Sequence, residues 1–142
     1  MTYMNPLEEL LNELKDNGIE LVNERPRADC GALYMPPDGS PARMYIDPAL
    51  SNSNRYVLTM RELGRHYTSN MPMHERLTRA YAFHRCVPYS ALALMLEMGH
   101  TLDQIATAFF VPLWYLKDAL NFYGFTPDGK SLQRKSMYDG IE

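Results

Sequence analysis

The stretch MRELGRHY, Met60 to Tyr67, decides how this chain reads. Around it the apolar positions Tyr56, Val57, Met60, Leu63, Gly64 and Tyr67 recur three and four apart, as one face of a helix requires. SNSN at 51–54 supplies caps and Asn70-Met71-Pro72 a break, so the pattern predicts a helix over roughly 53–69. On it Arg61 and Arg65 stand one turn apart and share a side, with Glu62 next to Arg61.

The flanking sequence sets that helix in an α+β chain. Leu7, Leu10, Leu11 and Leu14 predict a helix over 6–17, capped by Asn5 and stopped at Gly18. GIELVN (18–23), GALYM (31–35) and RMYI (43–46) read as short strands, and the turn-forming PPDGSP between the last two makes them a hairpin. A three-stranded antiparallel sheet is expected, too small to stand without helices against it. Further helices are predicted over 74–85, 89–98, 102–109 and 112–123, giving a bundle of five to six. One domain over 1–124 is expected, followed by a loose tail over 125–142 that lacks periodicity.

Composition bounds the function. The chain has 142 residues, 46% hydrophobic, enough for one domain with a sizeable core. A net charge of -3 argues against binding driven by nucleic-acid phosphates, although Arg61, Arg65, Arg76, Arg79 and Arg85 form a central basic block. Two lone cysteines, Cys30 and Cys86, suit a reducing compartment. No signal peptide or membrane-length apolar run is read, so a cytoplasmic location is expected.

The spacing of Arg61, Glu62 and Arg65 matches a zinc helix in which HExxH places two histidines one turn apart and the glutamate activates a bound water. Here both ligand positions are arginines, which stay protonated and offer no lone pair. The surroundings carry a wider resemblance. Leu58 to Tyr67 is similar to a metal helix of the form LAHELGHHY. Glu75 to Pro88 keeps the thirteen-residue spacing of ExxAxxFAxxLLxP, and TLDQIATAFFVPLWYLKDAL, residues 101–120, looks like a closing helical pair. Over about residues 6–123 the chain resembles the ImmA/IrrE-type family of small zinc peptidases found in bacteria, phages and integrative elements. The resemblance implies a zincin-like minimal metallopeptidase scaffold. It places the general base at Glu62, the third metal ligand at Glu75, and the two ligand histidines at Arg61 and Arg65.

With arginine at both positions no zinc and no other cofactor is expected. The guanidinium groups are expected to replace the metal charge in a salt-bridge cluster of Arg61, Glu62, Arg65 and Glu75. His66 and His74 are cleft residues from which a shifted metal site could be assembled, together with Glu62 or Glu75. The second helix of the closing pair, PLWYLKDALNFYG, carries one lysine and many aromatics, a poor surface for reading DNA and a better one for protein. The resulting expectation is a catalytically inactive, metallopeptidase-like protein that binds a protein partner stoichiometrically, as a phage or mobile-element regulator or as an inhibitor of a host factor in the host-cell cytoplasm. Two alternatives stand beside it: an active metal-dependent peptidase with a non-standard site that cleaves a repressor, and a DNA-binding transcriptional regulator. The aromatic content also permits a homodimer. The sequence names neither the partner nor the target, repressor or defence system.

Overall fold

The computed structural model describes residues 4–27 and 30–126. The elements run α1 (Pro6–Asp16), β1 (Glu20–Val22), β2 (Ala32–Met35), β3 (Arg43–Ile46), α2 (Asn52–Thr68), α3 (His74–Cys86), α4 (Tyr89–Glu97), α5 (Leu102–Phe109) and α6 (Leu113–Tyr123). The chain is α+β, with one small sheet and six helices among the described residues. It divides into two compact units between Ala82 and Phe83. The tail expected over 125–142 falls outside the described residues from position 127 onward.

In the first unit the sheet order is β1-β3-β2. β2 and β3 pair antiparallel, Leu33 opposite Tyr45 and Tyr34 opposite Met44, as the PPDGSP turn requires. β1 pairs parallel with β3, Leu21 opposite Met44, so the sheet is mixed and the all-antiparallel expectation is corrected. The physical reason is strand order rather than strand direction. Each connection reverses the chain, so β3 recovers the direction of β1, and β3 then inserts between β1 and β2. An antiparallel sheet would have needed strands adjacent in sequence to be adjacent in space, which is the commoner arrangement but not a rule.

One face of the sheet is apolar and covered. Ala32, Tyr34, Met44 and Ile46 are buried, alternating along their strands with half-exposed neighbours. α1 packs on β1 and α2, and α2 packs on β2 and β3. α1 contributes Leu7, Leu10 and Leu14; α2 contributes Tyr56, Val57, Met60 and Leu63. Asn5 caps α1 through its side chain, and Ser51 does the same for α2 at the amide of Asn54. α2 and α3 approach closely because position 64 is glycine. A Cβ there would lie 2.9 Å from the Tyr81 ring and 3.2 Å from the Thr78 carbonyl oxygen.

The second unit is helical. Leu92, Ile105, Val111, Leu116 and Leu120 are buried, and Phe83 stacks on Phe122. Thr101 and Gln104 form a reciprocal capping box at the start of α5. The turn to α6 passes through Phe110, which takes a left-handed conformation (φ 61). Phe125, counted with the tail at the sequence level, is buried and stacks on Tyr89.

Candidate functional site

Glu62 is the centre of the candidate site. It lies on the buried side of α2, 3% exposed, an unusual place for a carboxylate. Both of its oxygens are engaged. Oε1 accepts the backbone N–H of Tyr34 at 3.0 Å, and Oε2 accepts Arg65 Nε at 2.8 Å. β2 is an edge strand of the sheet, so the Tyr34 amide has no strand partner on that side and α2 provides the acceptor. The carboxylate therefore ties helix to sheet.

Arg65 joins that buried carboxylate to an exposed one. Its Nη1 donates to Glu75 Oε1 at 2.5 Å, and His74 Nε2 stands 3.2 Å from the same oxygen. The Glu75 side chain is 66% exposed, while Arg65 is about half as exposed, at 32%. The Arg65 hydrogen bond and charge hold the Glu75 carboxyl below its ordinary value. The hydrogen bonds it donates to Glu75 and Glu62 raise the Arg65 guanidinium above its own, against the opposing effect of burial. Arg61 sits at the margin. Its Nε is 3.8 Å from Glu62 Oε2 and is buried without a hydrogen-bond partner. The structure thus brings Arg61, Glu62, Arg65, Glu75 and His74 together, with Arg65 as the bridge and Arg61 in reserve.

His66 is turned elsewhere. Its Nδ1 lies 2.7 Å from the Tyr34 hydroxyl, with the two rings edge to face. Burial pushes the Tyr34 phenol up, so it is neutral at ordinary pH. Tyr34 therefore serves the site twice, by its amide and by its hydroxyl. Sequence reading missed it, because its partners lie 28 and 32 residues away and no local pattern marks such a contact. The same holds for Tyr67, whose hydroxyl donates to Glu13 and accepts from Asn17, while Thr68 donates to the Gly64 carbonyl one turn back and pairs with Thr78 at 2.9 Å. These contacts fasten α2 to α3 and to α1.

The donor set does not fit a zinc ion. Two of the three ligand positions that the family resemblance assigns hold guanidinium groups, which cannot donate a lone pair. Both Glu62 oxygens are committed, Glu75 is held by Arg65 and His74, and His66 Nδ1 faces Tyr34. Among the described residues no three His, Cys, Asp or Glu side chains converge. Neither Cys30 nor Cys86 forms a disulfide, and Cys86 is buried. The exposed positions of α6 include Leu113, Trp114, Lys117, Asp118 and Asn121, a single cation beside a single anion. Among the described residues no helix is long and apolar enough to cross a membrane. No family model, curated protein or solved structure matches the chain.

Proposed function

We infer that the chain is a metallopeptidase-like protein of the ImmA/IrrE type in which an ion-pair cluster stands where a metal would be, and that it acts by binding another protein. The supporting observation is the position of Arg65, which bridges Glu62 and Glu75 and so takes the place a cation would occupy between a general base and an acidic ligand. Glu62 is buried and already accepts a hydrogen bond at each oxygen, one of them from Arg65, the residue that stands at a ligand position. The arrangement supports a scaffold kept for its shape rather than for its chemistry. A regulator or inhibitor of phage or mobile-element origin, acting on a repressor or a host factor by stoichiometric contact, is the role that suits it.

Metal content and peptide cleavage test this reading together. Purified chain exposed to zinc and then desalted is expected to retain no stoichiometric metal and to leave a peptide library intact. One tightly held zinc per chain, with cleavage lost in Glu62→Gln, would overturn it.

A further inference from the structure

We propose that the corner between α2 and α3 is a docking surface for an acidic segment of a partner protein that presents an apolar face. Met71, Met73 and Leu77 are its anchors, and Arg76 supplies the cation at its rim. Met71 is 51% exposed, Met73 61% and Leu77 38%. Three large exposed apolar side chains within seven residues are more than the scattered exposure that surfaces tolerate. Methionine is suited to such a place, being flexible and polarisable enough to fit an incoming surface.

The backbone gives a second observation. Met73 adopts a left-handed conformation (φ 61), which side chains other than glycine, asparagine and aspartate take only at a cost. It stands immediately before α3, where its carbonyl accepts the amides of Arg76 and Leu77. Serine, threonine, aspartate or asparagine would cap a helix from there, and methionine brings no oxygen to do so. A strained, exposed methionine at a capping position breaks two local rules at once, and such breaks concentrate at functional sites.

The surface is held in place from below. Arg65 binds Glu75 in the first turn of α3, Thr68 pairs with Thr78, and Gly64 lets the two helices meet. The ion-pair cluster thus has a positioning role, fixing the corner before a partner arrives, which lowers the ordering cost of binding.

Charge selects the partner. Glu75, the one acid between Ser69 and Ala80, is already engaged by Arg65 and His74. With Thr78 and Ala82 buried, Arg76 falls on the opposite, outward side of α3 beside Leu77, both exposed. An apolar centre beside the Arg76 guanidinium complements a segment that carries apolar residues at helical spacing and acids beside them. A second copy of the chain would offer Arg76 no unengaged acid from the same corner, and a nucleic acid would leave the methionines without a partner.

This inference rests on the protein-binding reading, and the experiment separates the two. The probe is a display library of amphipathic peptides of about sixteen residues, randomised at the flanking positions and selected on the whole chain. The enriched peptides are expected to carry Asp and Glu beside the apolar stripe. Their affinity is expected to fall about tenfold or more with Met73→Ser and with Arg76→Glu, and Arg76→Glu is expected to recover binding when the peptide acids are changed to lysine. Both positions are exposed, and unchanged circular dichroism would verify folding. Failure to enrich any peptide, or enriched peptides indifferent to both substitutions, overturns the surface while leaving protein binding elsewhere untouched. A dimer that Met73→Ser dissolves also overturns it, in favour of a second copy. Zinc-dependent cleavage of the peptides overturns the reading beneath it.

Discussion

Arg65 and Glu62 stand one helical turn apart on α2 and meet through a single charge-assisted hydrogen bond, Nε to Oε2 at 2.8 Å. The pair is lopsided, its carboxylate buried and its guanidinium partly in water. Removing Arg65 leaves a buried charge with one backbone N–H and a distant Arg61. Full burial of both partners would put the loss at about 3–5 kcal/mol; partial exposure of Arg65 brings the expectation down to about 1–3 kcal/mol for Arg65→Ala. Arg61→Ala alone should cost less than about 1 kcal/mol, since Arg61 donates no hydrogen bond through its buried Nε. The double substitution should exceed the sum of the two, because Arg61 is a second cation beside Glu62, 3.8 Å from Oε2. Denaturant unfolding of the three variants measures this, and strict additivity would count against a shared cluster.

Glu75 gives the cluster a pH dependence whose sign follows from its depressed carboxyl. Its folded-state value lies below its unfolded one, so its contribution is fully present above the ordinary carboxylate range. That contribution is lost as pH falls through the depressed value. The stability difference between the native chain and Glu75→Gln should therefore be flat from neutral pH down to that range and shrink below it. Because Glu75 is exposed, the difference should also shrink with added salt. A difference that grew on acidification would mean that Arg65 holds Glu75 in neither role.

Gly64 tests how tightly α2 and α3 are joined. Alanine there gains about 1 kcal/mol of helix propensity. The added methyl must then displace the Tyr81 ring and press on a backbone carbonyl of α3, which overpacking data place at about 1–3 kcal/mol. Overpacking wins narrowly, so Gly64→Ala should destabilise by roughly 1 kcal/mol net. A lower thermal midpoint would show this, and a higher one would mean that the helices separate freely.

In the second unit Tyr123 holds the end of α3 with one hydroxyl, donating to the Val87 carbonyl at 2.7 Å and the Phe83 carbonyl at 3.2 Å. Burial, with a smaller effect from Cys86, pushes its phenol up to about 12. A raised folded-state value means that the contribution is present below the unfolded value of 10.0 and lost as pH rises through about 12. Tyr123→Phe should cost about 1 kcal/mol at neutral pH, the net worth of one hydrogen bond, and should abolish the part of the alkaline loss that belongs to this residue. Stability followed by pH-dependent denaturant unfolding would reveal a phenylalanine variant that behaves like the native chain, and so refute the role.

What the sequence made legible was what repeats locally. The leucine spacing of α1, the turn before β3 and the cap signals around α2 each gave elements within a residue or two of those observed. Strand order was not legible, because the insertion of β3 between β1 and β2 depends on pairing across the sheet and leaves no local trace. Glu62 and Arg65 could be placed on one helix from spacing alone, whereas Tyr34, which completes the environment of Glu62, reaches it from a strand 28 residues away. Met73 and Phe110 were illegible for a different reason. Their left-handed backbones contradict residue preference, and tertiary packing rather than local propensity decides such positions.

The resemblance to a zinc helix can be tested by reversing it. Arg61→His with Arg65→His would place two imidazoles one turn apart on α2, release Glu75 from its ion pair, and leave the Tyr34–His66 contact in place. If α2 and α3 retain the spacing of a metal site, the double variant should bind one zinc per chain. At a hundredfold excess over the dissociation constant, that zinc should stabilise the fold by about 2.7 kcal/mol. Glu75→Gln in the same background should weaken the binding, since an uncharged amide is a poorer ligand for zinc than a carboxylate. Zinc uptake that depends on Glu75 would attribute the loss of the metal to two side chains on an otherwise intact scaffold. A folded double variant that ignores zinc would mean that the helices no longer converge as ligands must, and the likeness of MRELGRHY to a metal helix would then reduce to spacing alone.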